Sequence, residues 1–157
     1  MKKISVLFVC LGNICRSPAA EAIFIDLIKK KGLTDYFIVD SAGTGSWHIG
    51  KKADARMRIS AERRGLNVMS KARQINFKDF EKFNYILAMD NSNFRNIIDL
   101  KNRNSSSDFA SIKNIQDFRY VFIDLEVPDT YYGGDEGFDH VLDILEDSVS
   151  GFFESIS

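Results

Sequence analysis

Two prolines, two cysteines and one tryptophan among 157 residues leave several classes of protein without support. So little proline, with only 10 glycines, excludes a collagen-like or proline-rich chain. At 45% hydrophobic and 27% charged residues, the composition is that of a globular domain, not a disordered one. The cysteines, Cys10 and Cys15, lie close together near the N-terminus. They make no disulfide framework and are too few for a cysteine-rich zinc site. Neither charge sign dominates: 21 Lys+Arg face 22 Asp+Glu, a net charge of −1. Without a broad basic face no nucleic-acid partner is expected, and any anion site must be local. No stretch approaches the roughly 20 apolar residues that span a bilayer. Met1-Lys2-Lys3 before Ile4 to Cys10 has the outline of a signal peptide. Its apolar run is shorter than the roughly 7–15 residues of a signal core, and Val9 is not the small residue that cleavage requires. The chain is therefore expected to be a cytoplasmic monomer, one domain over residues 1–157. A chain of this length buries roughly 68–70% of its unfolded surface, enough to fold without staples.

Ile4 to Val9 is a continuous β-rich run, the pattern of a strand covered on both faces in a parallel sheet. After the turn Leu11 to Arg16, Ser17 is expected to cap a helix with Pro18 at its first position and Glu21 in its first turn. Ala20, Ile23, Phe24, Leu27 and Ile28 form its apolar stripe, and Lys29 to Lys31 suit its negative end. Phe37 to Asp40 reads as a second strand, Ser41 to Lys52 as a long loop, and Asp54 to Arg64 as a charged helix. Tyr85 to Met89 is a buried strand followed by a helix from Asp90 to Leu100. For the fourth strand, Ala110 to Ile115 is preferred over Tyr120 to Leu125, which leads instead into Val127-Pro128-Asp129. Phe138, Val141, Leu142, Leu145, Val149, Phe152 and Phe153 mark a C-terminal helix. Alternation of strands and helices predicts an α/β fold: an open, mostly parallel, four-stranded twisted sheet with helices on both faces. Such folds carry their sites beyond the carboxyl ends of the strands. Cys10 and the Pro128-Asp129 loop both follow strands, so they can meet on one rim.

Cys10 and Arg16 bracket five residues, Leu11, Gly12, Asn13, Ile14 and Cys15, in a loop from strand to helix. Backbone N–H groups in such a loop can converge on a tetrahedral oxyanion, the helix adds its positive end, and Arg16 adds a planar fork of donors. Cys10 sits at the base of the same field, and helix N-termini and cations favour the nucleophilic thiolate form of a cysteine. No Gly-Lys-Ser/Thr follows, so this is not an ATP-binding loop. His48 and His140 have no ligand-spaced partners, and no metal or other cofactor is expected.

With these residues the chain resembles the low-molecular-weight protein tyrosine phosphatases. Val9 to Pro18 matches that family's signature loop. The likeness continues through Ser41-Ala42-Gly43-Thr44, Trp47-His48-Ile49-Gly50, Ala53-Asp54, Ala72-Arg73-Gln74, Met89-Asp90 and Pro128-Asp129 with Tyr131-Tyr132-Gly133. The resemblance implies a flavodoxin-like strand order 2-1-3-4 and hydrolysis of phosphotyrosine on tyrosine-phosphorylated proteins. Cys10 would be the nucleophile and Asp129 the general acid and base. Arg16 with the amides of Leu11, Gly12, Asn13, Ile14 and Cys15 would hold the phosphoryl oxygens. Asn13, Ser17 and Ser41 would support the loop, Ser17 by donating to the Cys10 sulfur. Leu11, Trp47, Tyr131 and Tyr132 would wall the substrate slot, and Cys15 would be the reversible disulfide partner of Cys10. In the family these tyrosines can themselves be phosphorylated. The chain departs from the family pattern at Thr130, where proline is usual after the acid, and at Ser70, where histidine is common.

Three other functions use some of these residues. A thiol-dependent arsenate reductase shares the loop but relays a disulfide through cysteines beyond Cys15, which the chain lacks. A cysteine phosphocarrier needs neither Arg16 nor Asp129. A non-catalytic phosphotyrosine-binding module would be favoured only if the nucleophile or acid were missing.

Overall fold

A computed structural model describes residues 2–103, 108–129 and 135–157. Four parallel strands, β1 (Ile4–Cys10), β2 (Phe37–Gly43), β3 (Tyr85–Ala88) and β4 (Ser111–Asn114), form one sheet in the order β2-β1-β3-β4. The expected order and fourth strand are both found. Among the described residues five α-helices connect or flank them: α1 (Arg16–Lys30), α2 (Ala55–Glu62), α3 (Asp79–Lys82), α4 (Asn91–Arg103) and α5 (Asp135–Ile156). The short α3 was not anticipated.

Both faces of β1 are buried because its alternate residues serve two cores. Val6, Phe8 and Cys10 pack with residues of α1, α2 and α5, whereas Leu7 and Val9 pack with Phe80 and Phe83 and with Ile97 of α4. Phe24 stands at the centre of the first core, with Phe8, Phe37, Phe152 and Phe153 around its ring at centroid distances of 5.2–6.3 Å. This arrangement locks α1 against the sheet and against α5.

The register then sets the rim. Cys10 pairs with Gly43 at the end of β2, and Val9 with Ala88 at the end of β3. Beyond β3, Val127 N–H donates to the Met89 carbonyl at 2.9 Å, which hooks the Pro128-Asp129 segment onto the same edge. Residues 120–122 form no strand. Their three N–H groups donate to the Asp147 carboxylate on α5, so a side chain replaces the ladder partner.

The start of α1 differs from expectation. The helix begins at Arg16, with Cys15 in the cap position and no capping side chain, and its first turn holds no acidic residue. Ser17 is already helical and its hydroxyl turns inward towards Cys10. Pro18 fits the first turn because an N–H there needs no intrahelical partner. α2, by contrast, has a side-chain cap: the Asp54 carboxylate accepts from Arg56 N–H.

Phe24→Ala should lower the free energy of unfolding by about 3–5 kcal/mol, the usual cost of emptying an aromatic core site. Urea unfolding followed by fluorescence checks this, and a loss below 1 kcal/mol would place Phe24 outside the core.

Candidate active site

The loop between β1 and α1 is held by its carbonyls. Those of Cys10 and Leu11 accept from Thr44 and Gly45 N–H at 2.9 Å, that of Ile14 from Asp54 N–H at 2.7 Å, and that of Cys15 from Ala19 N–H at 3.2 Å. By contrast, no N–H from Leu11 to Cys15 donates to another group among the described residues. With α1 uncapped at the same place, these donors form an unspent anion cradle. Gly43 is what lets the loop lie so close to β2. A Cβ there would stand 2.6 Å from the Leu11 carbonyl oxygen.

Asn13 bends the loop. It is the only non-glycine residue with positive φ among those described, at 56°, a conformation that asparagine tolerates better than most side chains. Its amide binds at both ends: Oδ1 accepts from Arg73 N–H at 3.0 Å and Nδ2 donates to Ser17 Oγ at 2.8 Å. Ser17 Oγ lies 2.9 Å from Cys10 Sγ and 3.4 Å from the Ala42 carbonyl. As it accepts from Asn13, its own proton can point at the sulfur. Arg73 is fixed in turn by Asp40 and Asp79 at 3.0–3.1 Å.

Ser41 serves a different network. Its hydroxyl donates to Glu21 Oε1 at 2.6 Å, one strand position away from the Asn13–Ser17 contacts. Burial raises the Glu21 pKa, and the Ser41 bond only partly offsets this. Ser70 stands near the same carboxylate and contributes weakly to it, but makes no hydrogen bond of ordinary geometry.

Arg16 is 2% exposed. Its Nη1 donates to Asp90 Oδ2 at 2.7 Å and to the Val127 carbonyl at 3.0 Å, while Nη2 lies 3.6 Å from Asp129 Oδ2. Burial opposes its charge, but Cys10, Asp90 and Asp129 outweigh it and raise the pKa further above the ordinary arginine value. Asp90 Oδ1 also accepts from Asn93 N–H at 2.7 Å, so one carboxylate caps α4 and holds the cation.

A cavity of about 390 Å³ opens above these groups, lined by Cys10, Ile14, Cys15, Arg16 and Asp129, with Leu11, Trp47 and His48 at its walls. Cys10 and Cys15 are both free thiols. The Cys15 pKa is pushed up to about 12 by burial, then by Asp54, Cys10 and Asp129, against a smaller opposing effect of Arg56. Cys15 is therefore a neutral thiol over the ordinary pH range. Among the described residues, no three His, Cys, Asp or Glu side chains cluster as a metal site, and no helix is long and apolar enough to cross a membrane.

The family model described as low molecular weight phosphotyrosine protein phosphatase matches residues 5–157. The chain belongs to that family. A Schizosaccharomyces pombe low molecular weight phosphotyrosine protein phosphatase is 41% identical over 157 residues, covering 99% of both chains. The crystal structure of an Entamoeba histolytica protein tyrosine phosphatase with Hepes in its active site superposes with a TM-score of 0.90 at 44% identity, covering 98% of this chain and 97% of the other. A Drosophila arginine phosphatase structure gives a TM-score of 0.91 at 35% identity, covering 100% and 98%.

In this phosphatase the structure brings Cys10, Arg16, Asp129, Leu11 and Trp47 to one cavity, and Asn13 and Ser17 directly beneath it. Ser41 stands apart, and Tyr131, Tyr132 and Thr130 lie outside the described residues. Sequence reasoning missed three roles. The Met89-Asp90 motif assigns Asp90 no function, although its place just after a strand puts it on the rim. His48, which has no ligand-spaced partners in the sequence, lines the pocket beside Trp47. The backbone of Arg73 anchors Asn13, which no side-chain pattern could reveal.

Asn13→Ala is expected to destabilise the phosphatase by about 2–4 kcal/mol, from left-handed strain and severed amide bonds. Asn13→Gly should recover about 1–2 kcal/mol by removing the strain alone. Urea melts of both variants test this, and equal losses would contradict the conformational part.

Proposed function

We propose that the chain hydrolyses phosphotyrosine on proteins, and aryl phosphates generally, through a phosphocysteine intermediate. The carrying observation is the unspent N–H groups from Leu11 to Cys15 in the same cavity as Cys10 and the buried Arg16. The Cys10 thiolate attacks phosphorus, the S–P bond forms, and the bond to the phenolic oxygen breaks as Asp129 delivers a proton to that oxygen. Water, losing a proton to Asp129, then attacks phosphorus. The S–P bond breaks, phosphate leaves and the thiolate is restored. Arg16 and the loop amides stabilise the charge that develops on the equatorial oxygens in both steps. The walls of Leu11, Ile14 and Trp47 suit a phenyl ring. A guanidinium substrate would call for carboxylates, and among the described residues the lining supplies Asp129 alone. No feature favours the arsenate reductase or phosphocarrier readings. Two free thiols in the cavity suit a reducing, cytoplasmic compartment.

Hydrolysis of p-nitrophenyl phosphate without added metal is expected, and Cys10→Ser should abolish it. Asp129→Ala should slow poor leaving groups by about 10²–10⁴ and good ones much less. Full activity in the first variant, or equal losses across leaving groups in the second, would reject the respective role.

Cys15 is proposed as the redox guard of Cys10. Peroxide would oxidise Cys10 to the sulfenic acid. Attack of the Cys15 thiolate on that sulfur would then form the S–S bond and release hydroxide. Oxidation removes the Cys10 charge, but burial, the largest cause of the raised Cys15 pKa, persists. Thiolate is therefore scarce, and its fraction grows about tenfold per pH unit. Disulfide closure, followed by mass spectrometry after a peroxide pulse, should accelerate by about that factor for each unit from pH 7 to 9. A pH-independent rate would contradict Cys15 thiolate as the attacking group.

A further inference from the structure

A second cavity of about 290 Å³ adjoins the phosphate pocket, and Leu11 and Trp47 line both. The Trp47 ring stands between them because it lies on Gly45, where any Cβ would meet the indole at 1.8 Å. The walls of this cavity come from the loop after β2, from Gln74 and Ile75, and from Asn96, Leu100 and Arg103 of α4. Arg103 is its single charged residue among those described. That side chain is exposed and makes no ion pair among the described residues. Its Nε has one long contact, 3.4 Å, to the carbonyl of Asp99 in its own helix. The exposed Asn96 carboxamide lies on the same side of α4, one and two turns from Leu100 and Arg103. Thr44 Oγ1, also in the lining, is buried with no hydrogen-bond partner. Gln74 is already committed to the Thr44 carbonyl at 3.1 Å.

We propose that this cavity is a substrate subsite that receives an acidic side chain flanking the phosphotyrosine, with Arg103 as the residue that sets this preference. The inference rests on the phosphotyrosine reading above. A peptide whose phosphotyrosine enters beside Trp47 must leave over the rim, and the second cavity is continuous with that rim. Its charge is complementary to a carboxylate, its free donors suit carboxylate or carbonyl oxygens, and Ile75 and Leu100 supply contact for the aliphatic stem. Arg103 touches neither phosphate nor the reacting atoms, so it acts on binding of the flanking residue and not on the chemical step.

The test is kcat/KM for synthetic phosphotyrosyl peptides in which one glutamate, or glutamine as its neutral match, is moved through each flanking position. The wild-type chain should favour glutamate at one position or more by about two- to fivefold, the range of an exposed ion pair, with the preference fading in high salt. Arg103→Ala should remove the preference and Arg103→Glu should invert it. p-Nitrophenyl phosphate cannot reach the cavity and should be turned over equally by all three. A glutamate-to-glutamine ratio that is the same in wild type and Arg103→Glu at every position would overturn the subsite alone. An equal loss on p-nitrophenyl phosphate and on all peptides would overturn it in favour of a structural role for Arg103. No hydrolysis of any substrate by the wild type would overturn the phosphatase reading and the subsite with it.

Discussion

The buried guanidinium of Arg16 is the joint on which the site depends. It comes from the first turn of α1, yet its partners come from beyond β3: Asp90, the Val127 carbonyl and Asp129. Removing such a cation from water costs several kcal/mol unless its partners are well placed. The contacts of Nη1 at 2.7 and 3.0 Å meet that requirement. They also tie three distant chain segments into one rim, so the fold that buries Arg16 is the fold that carries Asp129 to the cavity of Cys10.

Beneath that joint, the loop is shaped before any substrate arrives. Its carbonyls are taken up by the neighbouring loops, its left-handed turn is fixed by both ends of the Asn13 amide, and its N–H groups donate to no other group among the described residues. Donors fixed in advance need no reorganisation as charge develops, which is why such cradles stabilise transition states. In a chain of net charge −1, the donors suited to an anion are thus concentrated locally, in one loop and one buried cation. The same surroundings treat the two thiols differently. Cys10 has Ser17 Oγ at 2.9 Å, whereas burial, then Asp54, Cys10 and Asp129, push the Cys15 thiol up.

Much of this was legible in the sequence because periodicity and loop spacing are local signals. The four strands and the strand-to-helix loop from Cys10 to Arg16 follow from strand-helix alternation and loop spacing, while the order 2-1-3-4 and the pairing of Asp129 with Cys10 come from the family resemblance. What escaped was set by long-range contact. Ser17 reads as a helix cap because serine before proline suits that position, but the pull of Cys10 and Asn13 draws its hydroxyl inward and the helix starts two residues earlier. The resemblance places Ser41 with Asn13 and Ser17, yet the Ser41 hydroxyl bonds to Glu21. Asp90 looked like a helix opener, and only the fold shows that its second oxygen holds Arg16.

The proposed chemistry makes Cys10 the temporary carrier of the phosphoryl group, and rapid quenching tests this most directly. Asp129→Ala enzyme mixed with p-nitrophenyl phosphate, whose phenolate leaves without help, should accumulate the intermediate because water is no longer activated. Peptide mass spectrometry should then find phosphate on Cys10 in near-stoichiometric amount. Release of p-nitrophenolate with no phosphate on Cys10 at any quench time would contradict the account.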